Sequence, residues 1–441
     1  MKSGRVMIIG GGLAGCEAAW QLLRRGHGVD LYEMKPRRFS PAHKTEHLAE
    51  LVCSNSLKSN QPDSAPGLLK EEMRRLGSLI LSAADQTAVA AGSALAVDRN
   101  EFSRRVEERL LGQEGFSLHR AEVADIPQDG LTILATGPLT SDALAQSISR
   151  MLGGNSYLYF YDAIAPIVEA DSIDMDKAYW ASRYGKGTPD YLNCPLSREE
   201  YQRFREALLT GEKVAARPFE DVRHFEGCLP IEILAARGEE TLAFGPMKPV
   251  GLINPNTGKM PCAVVQLRRE NSAGTLFNLV GFQTKLTWPA QERIFRMIPG
   301  LERAQFARMG SIHRNTYIHS PSLLSPSLQF RKNPDVFFAG QISGVEGYME
   351  STAMGLLAGL NAAFILEGRS LPPPPRETAV GALAHYITSP ESAENFQPMN
   401  IHFGILPPVE APGMKKKERH LFCVRRSLEA LSDWMRDQGL A

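Results

Sequence analysis

Apolar positions along this chain follow two rhythms. Short runs with little polar interruption recur at Val6-Met7-Ile8-Ile9, Val29-Asp30-Leu31-Tyr32, Leu131-Thr132-Ile133-Leu134-Ala135 and Val336-Phe337-Phe338-Ala339. Runs of this length read as strands of a parallel sheet covered on both faces. Ala88 to Val97 and Ser117 to Ala121 read as further strands. Between them lie stretches with helical character. Cys16 to Arg25 holds good helix formers and is stopped by Gly26; Leu68, Leu69, Met73 and Leu76 recur at helical spacing within Gly67 to Leu76. Asp98 can cap a helix reaching about Leu111, with Phe102, Val106 and Leu110 on one face. A long helix rich in Ala, Gly and Leu is expected from Glu346 to Leu366, and an amphipathic one from about Glu418 to Met435. Met34 to Gln61 is polar and turn-rich.

From Gly153 to about Gln329 the texture changes. Aromatics cluster at Tyr157 to Tyr161, a charged helix is expected over Ser197 to Leu209, and the remainder reads as strands broken by Pro and Gly. That pattern predicts a second, substrate-facing domain over 151–329, inserted into a first domain built from 1–150 and 330–441. Pro372 to Pro375 is a stiff break, after which 376–441 forms a C-terminal appendage.

With 441 residues, two domains are expected. Lys+Arg and Asp+Glu are both 49, which argues against a uniformly basic nucleic-acid binder but allows a local basic face. The basic run Lys415-Lys416-Lys417-Glu418-Arg419 reads as a solvated face ahead of an RNA contact. Six cysteines form no C-x-x-C pair, so they read as reduced thiols of a cytoplasmic protein. No metal site is expected: His43 and His47 stand four apart with no third ligand and suit structural or cofactor-adjacent roles. No apolar run suggests a membrane span.

The densest chemistry lies between Arg5 and Lys35. A buried strand runs into Gly10-Gly11-Gly12-Leu13-Ala14-Gly15, which fits G-x-G-x-x-G, then a helix, a second strand, and Glu33 at 33 − 15 = 18 residues past the last glycine. In a dinucleotide site Gly10 makes the tight turn, Gly12 admits the pyrophosphate and Gly15 lets helix and strand pack. The helix N-terminus faces the phosphates with unpaired N–H groups. Glu33 can accept from a ribose diol and disfavours the extra phosphate of NADP; FAD and NAD both remain open on this motif.

Three segments line up with one architecture: GGGLAG, the ATGP at Ala135 to Pro138, and FFAGQISGVEGYMESTAMGLLAGLNAA from Phe337. The chain resembles the flavoproteins with two dinucleotide-binding domains, an α/β class with a Rossmann-like FAD-binding domain. Its late segment is similar to that of the glucose-inhibited-division-type tRNA-modifying flavoproteins. LVCSNSLKSN (Leu51 to Asn60), FEGCLPIE (Phe225 to Glu232) and GPMKPVGL (Gly245 to Leu252) narrow the resemblance to the bacterial folate- and FAD-dependent tRNA (uracil-5-)-methyltransferases. The resemblance implies FAD contacts at Gly10, Gly11, Gly12, Leu13, Ala14, Gly15, Glu33, Thr136, Gly137, Gly340, Gln341 and Gly344. It also implies conversion of the T-loop uridine of tRNA to ribothymidine, with carbon from methylenetetrahydrofolate and reducing equivalents from NAD(P)H.

That family's two functional cysteines carry over onto Cys53 and Cys228. The roles the resemblance implies are Cys228 as the nucleophile at uracil C6, and Cys53 as its acid/base partner or as a thiol shielding the reactive flavin adduct. Lys58, Arg223 and His224 are the sequence neighbours that could lower a thiol pKa. Tyr157, Tyr159, Phe160 and Tyr161 could stack on a flipped base or a pterin, although ordinary strand packing explains them better. Two rivals are a wobble-uridine modifying flavoprotein, whose longer helical C-terminal part docks a protein partner, and a general FAD-dependent oxidoreductase. No obligatory protein partner is expected.

Overall fold

A computed structural model of the chain describes residues 4–153, 157–185, 188–214, 229–394, 396–409 and 414–440, with the side chains of 157–162 and 312–314 outside the description. Two six-stranded sheets organise it, one of mostly parallel strands and one antiparallel.

The first sheet grows from the opening βαβ unit: β1 (Arg5–Ile9), α1 (Leu13–Leu23) and β2 (Gly28–Glu33). Next come β3 (Ser56–Ser59), α2 (Ala65–Arg75), α3 (Leu79–Gln86), β4 (Ala88–Val89), β5 (Ala94–Val97) and α4 (Arg99–Leu111), then β6 (Phe116–Arg120), β7 (Thr132–Leu134) and α5 (Asp142–Leu152). β1 pairs in parallel with both β2 and β7, and β2 with β6, so β1 lies inside the sheet. This is why Val6 and Ile8 are fully buried and why the run carries no charge. Two details depart from expectation. Ala88 to Val97 is two strands, not one, and β3 and β4 flank β5 in a small antiparallel sheet. β3 itself lies in the stretch read as turns. Asp98 does cap α4, accepting from the Glu101 N–H.

β8 (Tyr157–Ile164) leads into β9 (Ile167–Glu169), β10 (Tyr179–Ala181), β11 (Tyr191–Leu196), α6 (Arg198–Thr210), α7 (Ile231–Ala236) and α8 (Thr241–Phe244). β12 (Ala263–Arg269), β13 (Leu276–Leu279), α9 (Trp288–Phe295), β14 (Phe306–Arg308) and β15 (Ser311–Ile318) complete this part. The antiparallel order is β10-β11-β12-β13-β9-β14, while β8 and β15 pair only with each other. The charged helix starts as predicted: Ser197 and Glu200 form a reciprocal capping box. Its Tyr201, Phe204 and Leu208 bury against the sheet together with Phe282 and Phe295.

The chain then rejoins the first sheet through α10 (Ser320–Leu323), β16 (Gln329–Phe330) and β17 (Asn333–Phe338), with β17 parallel to β7. α11 (Tyr348–Leu366), α12 (Ala379–Thr388) and α13 (Lys416–Gln438) finish it. By length and mean hydropathy α11 could cross a membrane, contrary to the reading that no apolar run could, yet 89% of its apolar window is buried. It is a core helix packed on α1. A Cβ at Gly355 would stand 2.2 Å from the Ala14 carbonyl oxygen, and one at Gly359 2.6 Å from that of Ala18. Glycines four apart on α11 thus meet alanines four apart on α1, which brings the two backbones into contact.

Candidate active site

Where β1 ends, Gly10 takes φ 108°, and a Cβ there would sit 2.4 Å from the Ala135 carbonyl oxygen. Only glycine fits this turn. Gly12 is the N-cap of α1, which has no side-chain cap and no acid in its first turn. A Cβ on Gly12 would meet nothing within 4 Å, so the space over the helix end is open. Gly15 lies beneath, where a Cβ would stand 1.9 Å from the Gly10 carbonyl oxygen. Glu33 ends β2 with its carboxylate already held: Gly11 N–H donates to one oxygen and Lys35 N–H to the other, each at 3.0 Å. Each oxygen keeps a lone pair for a ribose hydroxyl.

These residues line a cleft whose unfilled space, including the part open to solvent, is about 1010 Å³. Its other walls are Thr136 and Gly137 after β7 and Gly340 and Gln341 after β17. A helix end without a cap, open space above it and an anchored carboxylate suit a pyrophosphate and a ribose. Gly344 departs from expectation. It lies outside the cleft lining, packed so that a Cβ would come 2.3 Å from the Phe396 ring. It serves the turn before α11. His43 does line the cleft, with Nδ1 2.5 Å from Ser40 Oγ, while His47 pairs with Glu107 instead. The two histidines therefore take different partners.

A second cavity, about 1130 Å³ on the same measure, shares Val52, Pro138, Leu139, Gln341 and Tyr348 with the first. Cys53, Ser54, Lys58, Gln283, Asn315 and Glu350 line it too. Cys53 is half-buried. Its Sγ lies 3.0 Å from the Tyr348 hydroxyl, which also accepts the Cys53 N–H at 2.8 Å and the Ser54 N–H at 3.3 Å. The loop is clamped from the antiparallel sheet: Arg268 donates to Asn55 Oδ1 and Ser54 Oγ, and Asn55 donates to the Arg269 carbonyl. Arg99 donates to the Leu51 carbonyl and pairs with Glu270 at 2.9 Å.

The electrostatic neighbours of Cys53 include groups that its sequence did not suggest. Lys58 is committed to Glu350 at 3.0 Å and to Asn400. Arg99 and Arg308, from α4 and β14, lie within electrostatic reach of the Cys53 sulfur. Burial pulls the Arg308 pKa down, and Arg99 adds to that. Tyr348, Arg99 and Arg268 were missed because they stand 295, 46 and 215 positions from Cys53 by subtraction (348 − 53, 99 − 53, 268 − 53). Only Tyr348 carried a hint, a hydroxyl at the predicted start of α11.

Cys228, Arg223 and His224 lie outside the described residues. Three positions on from Cys228, Ile231 N–H donates to the carbonyl of Gln283, a residue that lines the Cys53 cavity. Cys16 and Cys194 are fully buried, and burial pushes both thiols up, Cys194 to about 12. Both are core thiols, unsuited to nucleophilic work at neutral pH.

The family model for glucose inhibited division protein A matches residues 5–370. The methylenetetrahydrofolate–tRNA-(uracil-5-)-methyltransferase of Syntrophus aciditrophicus is 60% identical over 98% of this chain and 98% of its own length. The enzyme of that name from Geobacter sulfurreducens is 59% identical over 98% of this chain and 99% of its own. Among solved structures, Aquifex aeolicus GidA superposes with a TM-score of 0.73 at 18% identity, covering 99% of this chain and 74% of that one, which shows a common fold. With near-complete coverage by such relatives, this chain belongs to the glucose inhibited division protein A family and, within it, to the methylenetetrahydrofolate–tRNA-(uracil-5-)-methyltransferases.

Proposed function

We infer that this chain methylates C5 of the T-loop uridine in tRNA, taking the carbon from methylenetetrahydrofolate. Residues 1–150 and 330–441 would carry FAD, and 151–329 would face the RNA. The observation that carries this reading is the half-buried thiol of Cys53 in a cavity that shares a wall with the dinucleotide cleft. A tRNA substrate puts the work in the cytoplasm. Gly10 to Ala14 would hold the pyrophosphate of FAD and Glu33 its ribose. Bound FAD, reduced by NAD(P)H, supplies the two electrons that turn a methylene into a methyl group.

The protein residues do the rest. C5 of uracil is a weak nucleophile, so Cys228 adds as thiolate to C6 and leaves an enolate that attacks the methylene carbon through C5. Cys53 then removes the C5 proton, or shields the one-carbon group from water before the RNA arrives. Proton loss from C5 would expel tetrahydrofolate from the new methylene, two electrons and a proton would complete the methyl group, and loss of the Cys228 sulfur from C6 then restores the ring. The Ile231–Gln283 hydrogen bond fixes the start of α7 beside the Cys53 cavity, which favours this pairing of roles. The relatives at 59–60% identity carry the uracil-5-methyltransferase name, which favours this reading over the wobble-uridine one.

A T-stem-loop RNA carrying 5-fluorouracil tests the scheme, because fluorine at C5 blocks proton removal and traps the adduct. The wild-type protein should form a covalent complex stable to denaturing gels, and Cys228→Ala should not. An adduct that survives in Cys228→Ala but vanishes in Cys53→Ala exchanges the two roles. Methyl transfer from S-adenosylmethionine without folate would sink the whole reading.

A further inference from the structure

Tyr348 opens α11 on the wall common to both cavities. Its hydroxyl oxygen takes two backbone N–H groups, from Cys53 and Ser54, and lies 3.0 Å from Cys53 Sγ. A phenol has one proton and two acceptor sites. With both acceptor sites filled by amides, the remaining O–H is directed at the sulfur. We propose that Tyr348 is a catalytic hydrogen-bond donor to Cys53, stabilising its thiolate and fixing the rotamer in which the sulfur faces the second cavity. The proposal rests on the reading that Cys53 takes part in the reaction.

A donor of this kind must stay protonated at working pH. Burial, followed by the nearby sulfur, holds the Tyr348 hydroxyl well above the ordinary tyrosine range, so the proton is retained. Donation to a thiolate is a charge-assisted hydrogen bond, stronger than donation to the neutral thiol, and so favours the ionised form. Several charged groups surround the pair: Arg99 of α4 with Glu270, Arg268 of β12 at Ser54, Arg308 of β14, Lys58 of β3 with Glu350 of α11, and Glu346. These set the background field, and Tyr348→Phe leaves them in place. The competing role is structural, with Tyr348 only anchoring the 53–54 backbone. Loss of an anchor would slow every step evenly and leave the pH dependence where it was.

The holoenzyme is alkylated with iodoacetamide over a range of pH, and modification at position 53 is read by peptide mass spectrometry. In Tyr348→Phe the midpoint for Cys53 should move up by about one to two pH units, with alkylation at pH 7 roughly tenfold slower or more. 3-Fluorotyrosine placed at 348, a stronger acid of nearly the same volume, should move the midpoint down. An unmoved midpoint in Tyr348→Phe overturns the proposal. Should that variant lose FAD, the fluorotyrosine protein decides, and an unmoved midpoint there overturns it equally. Methylation assays on Cys53→Ala separate the two failures. Full activity without that thiol removes Cys53 from the reaction, whereas the alkylation profile reports on the pair whether or not turnover needs it.

Discussion

Glu33 shows how one side chain can be legible from sequence in type and yet differ in detail. An acid at the end of the second strand was expected to meet a ribose, and it lines the cleft. What the pattern did not contain is its second task, closing the glycine turn by accepting from Gly11 and Lys35. In Glu33→Gln one carboxylate oxygen becomes an NH2 group facing a backbone N–H, so an acceptor is lost and a donor is opposed. FAD affinity should fall roughly 10- to 100-fold, as read by equilibrium dialysis of the flavin. Unchanged affinity would mean that the acid is dispensable to the cofactor. Cys53 was singled out by the family resemblance and by its polar neighbours Ser54, Asn55 and Ser56, and it lines the second cavity. Of the groups expected to act on it, Lys58 turns to Glu350, while Arg99 and Arg308 come from elsewhere in the fold.

Among the elements, the contact of α1 with α11 matters most to the site, because it fixes the helix end that would meet the pyrophosphate. Gly355→Ala drives a methyl toward the Ala14 backbone, which no rotamer change can relieve. We expect a loss of about 2 kcal/mol in urea unfolding, together with weaker FAD retention. Gly12→Ala, where a Cβ meets no neighbour, should cost little stability and act on the cofactor alone. A different junction joins α2, α12 and α13. There the Glu72 carboxylate accepts from Ala379 N–H, Val380 N–H and Ser427 Oγ. Burial pushes this carboxyl from an ordinary 4.5 up to about 7. The folded state therefore holds a proton that the unfolded chain has released. Its stabilising contribution is complete below about pH 4.5 and is lost as pH rises through about 7. Urea midpoints at pH 5 and pH 8 should differ less in Glu72→Gln than in the wild type; an identical difference would exclude this titration.

For the whole molecule the decisive feature is how the antiparallel sheet grips the cysteine loop of the parallel one. Arg268 spans the junction with hydrogen bonds to Asn55 and Ser54, and Arg99 with Glu270 closes it beside them. Arg268→Ala should leave FAD content near that of the wild type but lower kcat by about 10- to 100-fold, since small displacements of a reacting group are costly. A normal kcat in that variant would mean that the grip does not position Cys53. The separate texture of 151–329 was visible in its aromatics and its Pro- and Gly-broken strands. Which of its strands would reach back to Cys53 was not.

Local rules sufficed for the β1–α1–β2 unit, for the capped helices α4 and α6, and for the buried strands β7 and β17, because each is specified by neighbours within a dozen or so residues through periodicity, capping and glycine geometry. The same rules marked the cleft that suits a dinucleotide, whereas Cys53 was singled out by the family resemblance, with its polar neighbours in support. They could not reveal that Tyr348 would hold that thiol, that Arg99 and Arg308 would lend it charge, or that Gly344 would turn away from the cleft toward Phe396. Those outcomes depend on packing between segments 46 to 295 positions apart. A hydrogen bond or a buried charge there is set by three-dimensional distance, to which the order of residues along the chain is blind.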